Sequence, residues 1–257
     1  MSVPPRVALV IPARDEARLL PGVLAAVPAW IWRVVIVDDG SRDPTWRVMG
    51  AWRDRRAVRI RHARARGVGA AIVAGYARAL ELGADIAAVV AADGQMALEE
   101  LARVVEPVRR GAADYVQGSR FERGRPRGRM PEARRWGNRL LSRATGWAAG
   151  TRVGDSQCGY TAASAEFLAR LDTARLPGGY GFPAFLRIEA HRLRARVVEV
   201  PVTARYGDEV SGIHPLADPP QILARIVWRG LRRRLDARAA TLAPARALQP
   251  HRSGEAG

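Results

Sequence analysis

The sequence predicts an α/β fold with a largely parallel sheet and flanking helices. Short apolar runs, such as residues 34–37 and 86–92, alternate with longer stretches in which apolar residues recur at helical spacing. The run at 34–37 is entirely β-branched, as expected for a strand that is buried on both faces. Both runs lead into acidic residues, Asp38 and Asp39 in the first case and Asp93 in the second. Ligands bind at the carboxyl edge of open parallel sheets, so these carboxylates mark a candidate site.

The remaining elements follow from the same two periodicities. The first helix places Leu20, Val23, Leu24 and Val27 on one face, and Pro44 suits the first turn of the second helix. In chain order, strands are expected at residues 6–11, 34–38, 58–61, 86–92, 115–118 and 197–202. Helices are expected at residues 17–27, 44–52, 68–82, 98–109, 134–147 and 221–235.

These elements fit one domain over residues 1–235, and the expected helix at 221–235 is basic and amphipathic. Residues 122–132 are rich in Arg, Gly and Pro, which predicts a mobile basic loop. Residues 236–257 are rich in Ala, Pro and Arg, which predicts a disordered tail. One side of the terminal helix is expected to carry Ile222, Leu223, Ile226, Val227, Gly230 and Leu231, and the other Arg225, Arg229, Arg232 and Arg233.

The basic residues of the chain restrict the possible mechanisms and partners. The chain has 42 Lys+Arg residues against 25 acidic ones, and every one of the 42 is arginine. A Schiff-base or lysine-nucleophile mechanism is therefore excluded. The net charge of +17 favours anionic partners such as phosphates, nucleic acid or an anionic membrane surface, although many arginines are expected simply to be solvated.

Several other signals are weak or negative. A single cysteine excludes an internal disulfide, and the chain shows neither an apolar run of about 18 residues nor a signal-peptide pattern, so a cytoplasmic protein is expected. The glycines at 67, 69 and 75 follow no apolar strand and have the wrong spacing for a dinucleotide-binding loop. The four histidines are scattered without metal-ligand spacing, and each is interpreted as ordinary rather than catalytic.

A series of short motifs, taken in order, resembles one family. The motifs are VIPARDE at residues 10–16, IVDDGSRD at 36–43, RGVG at 66–69, ADGQ at 92–95, GSR at 118–120, DSQCGY at 155–160, EVPV at 199–202 and RYGDEVS at 205–211. Together they resemble the family 2 glycosyltransferases of the GT-A fold, over about residues 6 to 235. The late motifs are similar to those of the polyprenyl-phosphate sugar synthase branch, which includes dolichol-phosphate mannosyltransferase.

The resemblance implies a GT-A fold and an inverting transfer from a nucleotide diphosphate sugar to a polyprenyl-phosphate-like acceptor. It implies a Mg²⁺ or Mn²⁺ cofactor bound by Asp93 and Gln95, although Ala91 stands where the family usually carries another Asp. The residues implied for the donor site are Pro12, Arg14, Glu16, Val37, Asp39, Ala92, Asp93 and Arg120.

The acceptor side implied by the resemblance is built for anions. Asp93, Arg120 and Arg205 are expected to act in the transfer itself, with the two arginines facing phosphates. The residues expected to receive the acceptor phosphate are Arg129, Arg134, Arg135 and Asn138.

The sequence allows several alternatives. The acceptor can instead be a glycan or a small metabolite, and Ala91 also allows a non-catalytic relative that binds nucleotide sugar without turnover. The terminal helix either packs on the domain or lies on an anionic membrane surface, peripheral on the inner face of the membrane. Nucleic acid is not expected as a partner, because aromatic residues make up only 6% of the chain and do not interleave with the basic ones.

Overall fold

The protein is built around one sheet of seven strands. The computed structural model describes residues 3–122, 125–126, 130, 132–203, 205 and 218–242. The strands of the main sheet are β1 (Val7–Ala13), β2 (Arg33–Asp38), β3 (Ala57–Arg61), β4 (Ile86–Val89), β5 (Tyr115–Ser119), β8 (Thr161–Ser164) and β9 (Val197–Pro201). Two further short strands, β6 (Phe121–Glu122) and β7 (Arg125–Pro126), form a separate antiparallel pair.

Helices connect the strands and cover the sheet. They are α1 (Leu20–Ala25), α2 (Thr45–Ala51), α3 (Val68–Glu81), α4 (Leu101–Arg109), α5 (Glu132–Ala149), α6 (Ala165–Ala169), α7 (Phe182–Arg192) and α8 (Asp218–Leu242). Within the described residues, no helix is both long and apolar enough to cross a membrane.

The order of the seven strands is β3-β2-β1-β4-β8-β5-β9. The pairs β1–β2, β1–β4, β2–β3 and β5–β9 are parallel. Strand β8 is antiparallel to both β4 and β5. The carboxyl ends of β1, β2, β4, β5 and β9 therefore meet at one edge, and the segment that enters β8 starts from that same edge.

Apolar residues fill both faces of the sheet. Leu9 and Ile36 point into one cluster with α1 and α4, while Val10 and Val35 point into another with α3 and α7. This arrangement follows from the alternation of side chains along strands that are buried on both faces. A third cluster joins α5, α7 and α8 through residues such as Ile226.

The expected elements are confirmed with shifts at their ends, and two expectations are corrected. Strand β4 ends at Val89 rather than at residue 92, since the chain leaves the sheet before Asp93. The last helix continues to Leu242, so part of the predicted tail at 236–257 is helical. Residues 243–257 lie outside the described residues.

The expected faces of α8 are also partly wrong. Ile222, Ile226 and Gly230 are buried, but Val227 and Leu231 point to solvent. Arg229 instead turns toward the domain and contacts the buried carboxylate of Glu189 at 3.2 Å. An ion pair buried by tertiary packing places Arg229 on the side opposite to the one that a simple apolar-basic pattern predicts.

Candidate active site

The loops after β1 and β2 lock together at the carboxyl edge of the sheet. Asp15, with φ of 57°, accepts a hydrogen bond at Oδ1 from the backbone N–H of Arg42 at 2.7 Å. The backbone N–H of Glu16 donates to Oγ1 of Thr45 at 2.8 Å. These contacts hold Arg14 and Glu16, both expected in the donor site, against the loop that follows Asp39.

Glu16 lies in an acidic environment. Burial, followed by the charges of Asp93 and Asp43, raises the pKa of Glu16 from 4.5 to about 7. Because the charge of Asp93 raises the pKa of Glu16, the loop after β1 and the turn after β4 belong to the same site. A cation between them would relieve the repulsion, because it compensates charges that the protein leaves crowded together.

Asp39 organises a neighbouring loop. Its buried carboxylate accepts hydrogen bonds from the backbone N–H groups of Arg66 at 2.9 Å and Gly67 at 2.7 Å, and it pairs with Nδ1 of His62 at 2.8 Å. The carboxylate therefore does not cap α2, the helix that follows it in sequence. It fixes the turn at the start of α3, and its contact with a donor nucleoside stays a prediction.

Gly40 is required by the approach of this same loop. Its φ is +68°, in the left-handed region that favours glycine, and a Cβ placed on it would lie 2.6 Å from the backbone nitrogen of Ala65. The loop after β2 and the loop before α3 thus touch backbone to backbone. Pro12 and Val37, the other expected donor residues on these strands, are buried at the adjoining strand ends.

The turn after β4 carries the expected metal ligands. The backbone N–H of Gln95 donates to Oδ1 of Asp93 at 3.0 Å, across Gly94 with φ of +72°. The side chain of Ala92 is buried in the core, so only its backbone can face a donor. In the described part of the chain, no group of three or more His, Cys, Asp or Glu side chains is placed to hold a metal ion. Asp93 and Gln95 fit a cation that takes its other ligands from a bound diphosphate.

Arg120 follows β5 and is held by a carboxylate to which the sequence pattern assigns no role. Asp155 Oδ2 accepts hydrogen bonds from Nε of Arg120 at 2.7 Å and from its backbone N–H at 3.0 Å, while Oδ1 accepts from Nη2 at 2.9 Å. Asn138 on α5 donates its side-chain amide to the same Oδ1 at 2.8 Å. The structure therefore brings together an expected donor residue and an expected acceptor residue around one buried aspartate.

Asp155 is ionised in this setting. Its complete burial would raise the pKa, but the charge of Arg120 and the hydrogen bonds from Arg120 and Asn138 outweigh burial and lower it. Ser142, one turn beyond Asn138, donates to the Asn138 side-chain oxygen at 2.9 Å. The sequence signal for Asp155 is its place at the start of the motif at residues 155–160, and that motif does not reveal its partners.

The other expected anion-binding residues are less closely grouped. The backbone N–H of Arg205 donates to the carbonyl of Gln95 at 2.9 Å, but its exposed guanidinium pairs with Glu99. Arg134 and Arg135 are half-buried in the first turns of α5, where Arg135 contacts Glu132 at 3.1 Å. Arg129 lies outside the described residues. The direct action of these arginines on phosphates stays a prediction.

Two reactive side chains near the site, Cys158 and His62, are buried. Burial, followed by the charge of Asp155, raises the pKa of the Cys158 thiol to about 12, so it stays protonated at neutral pH. His62 is engaged by Asp39.

Comparison with known proteins shows which family this chain resembles. The family described as Glycosyl transferase family 2 matches residues 8–171. UDP-N-acetylglucosamine–dolichyl-phosphate N-acetylglucosaminyltransferase of Methanococcus voltae is 32% identical over 213 residues, covering 77% of this chain and 85% of that protein. Undecaprenyl-phosphate mannosyltransferase of Micrococcus luteus is 35% identical over 212 residues, covering 77% and 83%. Polyprenol monophosphomannose synthase of Mycolicibacterium smegmatis is 30% identical over 243 residues, covering 90% and 89%.

A solved structure shares the fold. Glucosyl-3-phosphoglycerate synthase from Mycobacterium tuberculosis, in complex with Mn²⁺, uridine diphosphate and glucosyl-3-phosphoglycerate, superposes with a TM-score of 0.66 at 19% identity. The superposition covers 88% of this chain and 80% of that one. The expected GT-A fold is thereby confirmed.

Proposed function

This chain belongs to glycosyl transferase family 2, and on that basis we propose that it transfers one sugar from a nucleotide diphosphate sugar to a polyprenyl phosphate. Two relatives named as dolichyl-phosphate and undecaprenyl-phosphate transferases, and a third named polyprenol monophosphomannose synthase, support this acceptor. The observation that carries the proposal is the carboxyl edge of the sheet. There the acidic pair Glu16 and Asp93 lies on the same edge as Arg120, which is fixed by Asp155 and Asn138.

The reaction is a direct displacement. An oxygen of the acceptor phosphate attacks the anomeric carbon, the bond from that carbon to the nucleotide diphosphate breaks, and the configuration inverts. A phosphate is already anionic at neutral pH, so the attack requires no strong general base. The protonated thiol of Cys158 agrees with a reaction in which the acceptor itself is the nucleophile.

Asp93 and Gln95 are proposed to hold a divalent cation, Mg²⁺ or Mn²⁺, together with the donor diphosphate. When bound, such a cation neutralises the charge that develops on the leaving diphosphate. Ala91 removes one anionic ligand relative to the resembling family pattern, so we expect weak affinity for the free metal and tighter binding once the donor is present.

The protein groups on the other side of the site orient anions. A guanidinium about 4 Å from a phosphate gains on the order of 1 kcal/mol in water and about 4 kcal/mol at an effective dielectric near 20. Arg120 is only 16% exposed, so its interaction with a phosphate is closer to the value at an effective dielectric near 20 than to the value in water. We assign Arg120 to the donor phosphates, and Arg134, Arg135 and Asn138 to the acceptor side. Reaching a polyprenyl acceptor requires work at a membrane surface, and we propose a peripheral position on its inner face.

The test is transfer of radiolabelled sugar from GDP-, UDP- and dTDP-linked donors to polyprenyl phosphate over a range of Mn²⁺ concentrations. Asp93→Asn is expected to lower turnover by about 100-fold or more, because the main metal carboxylate is lost. Asp85→Asn is the matched control, since Asp85 stands at the opposite, amino end of β4 and contacts Arg6. If Asp93→Asn keeps wild-type turnover at limiting Mn²⁺, Asp93 is not a metal ligand.

The second candidate is a nucleotide-sugar-binding protein without turnover, which Ala91 favours. If the chain is an enzyme, Ala91→Asp should lower the Mn²⁺ concentration that gives the half-maximal rate. The assay at millimolar Mn²⁺ offers polyprenyl phosphate, glycans, small metabolites or water as acceptor. If calorimetry detects donor binding but none of these acceptors leads to donor consumption, the chain binds nucleotide sugar without turnover.

A further inference from the structure

The exposed apolar side chains of this protein are concentrated on two neighbouring helices. Among the described residues, seven of the ten large hydrophobic side chains that are exposed belong to α5 or α8. These helices pack against each other and share the third apolar cluster. Scattered exposed hydrophobic residues are normal on protein surfaces, but a contiguous set usually marks an interaction site.

On α5 the exposed residues form one stripe. Trp136 is 60% exposed, Leu140 55% and Trp147 37%, and Arg143 is exposed between them. Their spacing of four, three and four residues places all four on the same side of the helix. The opposite side of α5 carries Asn138, which contacts Asp155.

On α8 a second stripe lies opposite the buried face. Trp228 is 54% exposed, Leu231 49% and Leu235 63%, whereas Ile222 and Ile226 are buried against the domain. The helix is therefore apolar on two opposite sides, and the described residues pack against only one of them. Packing among the described residues does not explain the outer stripe.

Trp147 joins the two stripes. A Cβ placed on Gly230 would lie 2.2 Å from Cζ3 of Trp147, so this indole lies directly on α8. The guanidinium carbon of Arg234 lies 4.6 Å from the centre of a Trp147 ring. Because Gly230 and Arg234 are one turn apart and adjoin Leu231 on the helix surface, the stripes form one continuous face.

Arginines accompany the tryptophans across this face. The guanidinium carbon of Arg139 lies 5.3 Å from the Trp136 ring, and that of Arg232 lies 4.3 Å from the Trp228 ring. From residue 132 to 149 the sequence contains four arginines and one acidic residue, Glu132. The face thus combines apolar area, indole rings and positive charge, the combination that binds the interface of an anionic bilayer.

We propose that this two-helix face docks on an anionic lipid bilayer. The proposal deepens the proposed function and rests on it for its purpose, since a polyprenyl phosphate carries its phosphate at headgroup depth. Docking would place α5 between the bilayer and the reaction centre, with Trp136 and Trp147 toward lipid and Asn138 toward Asp155. A helix is only about 10 Å across, so the contact between Asn138 and Asp155 would lie about one helix diameter from the headgroups.

A second copy of this chain is a less suitable occupant. In a twofold dimer through this face the same surface would meet itself, so rows of arginines would come together without acidic partners. An anionic bilayer instead provides opposite charge over its whole surface.

The test is co-sedimentation of the purified protein with vesicles, in the absence of any donor. Vesicles contain either phosphatidylcholine alone or phosphatidylcholine with about one third phosphatidylglycerol. We expect binding at least tenfold tighter to the anionic vesicles, and loss of about tenfold or more of that affinity in Trp228→Ala/Leu235→Ala. Arg143→Gln/Arg232→Gln should lose roughly fivefold per charge. Trp30→Ala is the matched control, since Trp30 is 46% exposed but precedes β2 at the amino edge of the sheet.

Equal binding to both vesicle types, or an unchanged affinity in the Trp228→Ala/Leu235→Ala variant, would overturn the proposal. So would a stable dimer in analytical ultracentrifugation that the same variant dissociates. Transfer to a short-chain, water-soluble prenyl phosphate separates docking from catalysis, because the variant should retain it. Loss of vesicle binding with retained soluble transfer supports docking by this face. Vesicle binding by wild-type protein without any transfer refutes the proposed function alone.

Discussion

Replacement of Asp155 by asparagine tests a fully buried charge at the site. The side chain of Asp155 is fully buried, and it receives a two-pronged contact and a backbone hydrogen bond from Arg120. Asparagine keeps the shape and one acceptor oxygen but removes the negative charge. The guanidinium of Arg120, 16% exposed, is then left without its counter-charge in a poorly solvated place.

The size of the effect follows from this burial. Removing one partner of a buried ion pair costs about 3 to 5 kcal/mol, and the retained oxygen of asparagine favours the lower end, about 3 kcal/mol. For a chain of this length that corresponds to a fall in Tm of about 6 to 12 °C. Turnover should fall as well, because Arg120 and Asn138 lose their common anchor.

The chain supplies a matched control in the pair formed by Asp114 and Arg196. Arg196 donates its backbone N–H, Nε and Nη2 to Asp114 at 2.7, 3.1 and 2.6 Å, the same pattern that Arg120 forms with Asp155. The side chains are 25% and 60% exposed, however, so solvent screens the interaction. Asp114→Asn is therefore expected to change Tm much less.

Urea unfolding and thermal scans of both variants at pH 7 provide the measurement. The lowered pKa of Asp155 means that its ion pair stabilises the fold above the ordinary aspartate range and is lost as pH falls through the lowered value. The stability gap between wild type and Asp155→Asn should accordingly narrow in acid. Equal losses in the two variants at pH 7 would refute the argument from burial.

Two other predictions concern the β1 and β2 loops. Glu16→Gln should stabilise the metal-free protein increasingly as pH rises from 4.5 to about 7. Over that window the folded wild type binds a proton at Glu16 that the unfolded chain releases, so the wild type loses stability as pH rises, whereas glutamine does not titrate. Urea unfolding in chelator at three pH values measures this, and a pH-independent difference would contradict it. Gly40→Ala should destabilise the fold by about 1 to 2 kcal/mol or more, from its positive φ and the contact with Ala65. Gly22→Ala, a helical position with open space around it, should instead be neutral or stabilising by about 0.5 to 1 kcal/mol, and equal effects would contradict the assignment.

The sequence was sufficient for the parallel half of the sheet because local signals there agree with the tertiary structure. The apolar run at 34–37 and the acidic residues after it predict both a buried strand and its exposed end. The order of motifs likewise predicted the GT-A fold. Strand β8 and helix α7 gave weaker signals, since Thr161–Ser164 is short and α7 is buried on almost every side. A helix without an exposed face loses the periodicity that identifies it.

The parts of the site that escaped prediction depend on partners far apart in sequence. Nothing local shows that Arg120 is held by Asp155, or that Asp39 binds the N–H groups of Arg66 and Gly67. The predicted position of Arg229 on α8 is wrong for the same reason, because the buried Glu189 that it contacts lies on another helix. Residue types at strand ends are readable from sequence, whereas their hydrogen-bond partners require the fold.

The antiparallel strand β8 has a consequence for biosynthesis. It is the only link in the described sheet between β4 and β5, so the two halves stay separate until residues 161–164 are available. Roughly 75 residues lie between the end of β4 and the end of β8, which takes a ribosome about 4 to 15 s. During that interval β4 has β1 on one side and presents an apolar, unpaired edge on the other. Nascent chains that stop before residue 161 should therefore aggregate or recruit chaperones, whereas chains that include β8 should be protected.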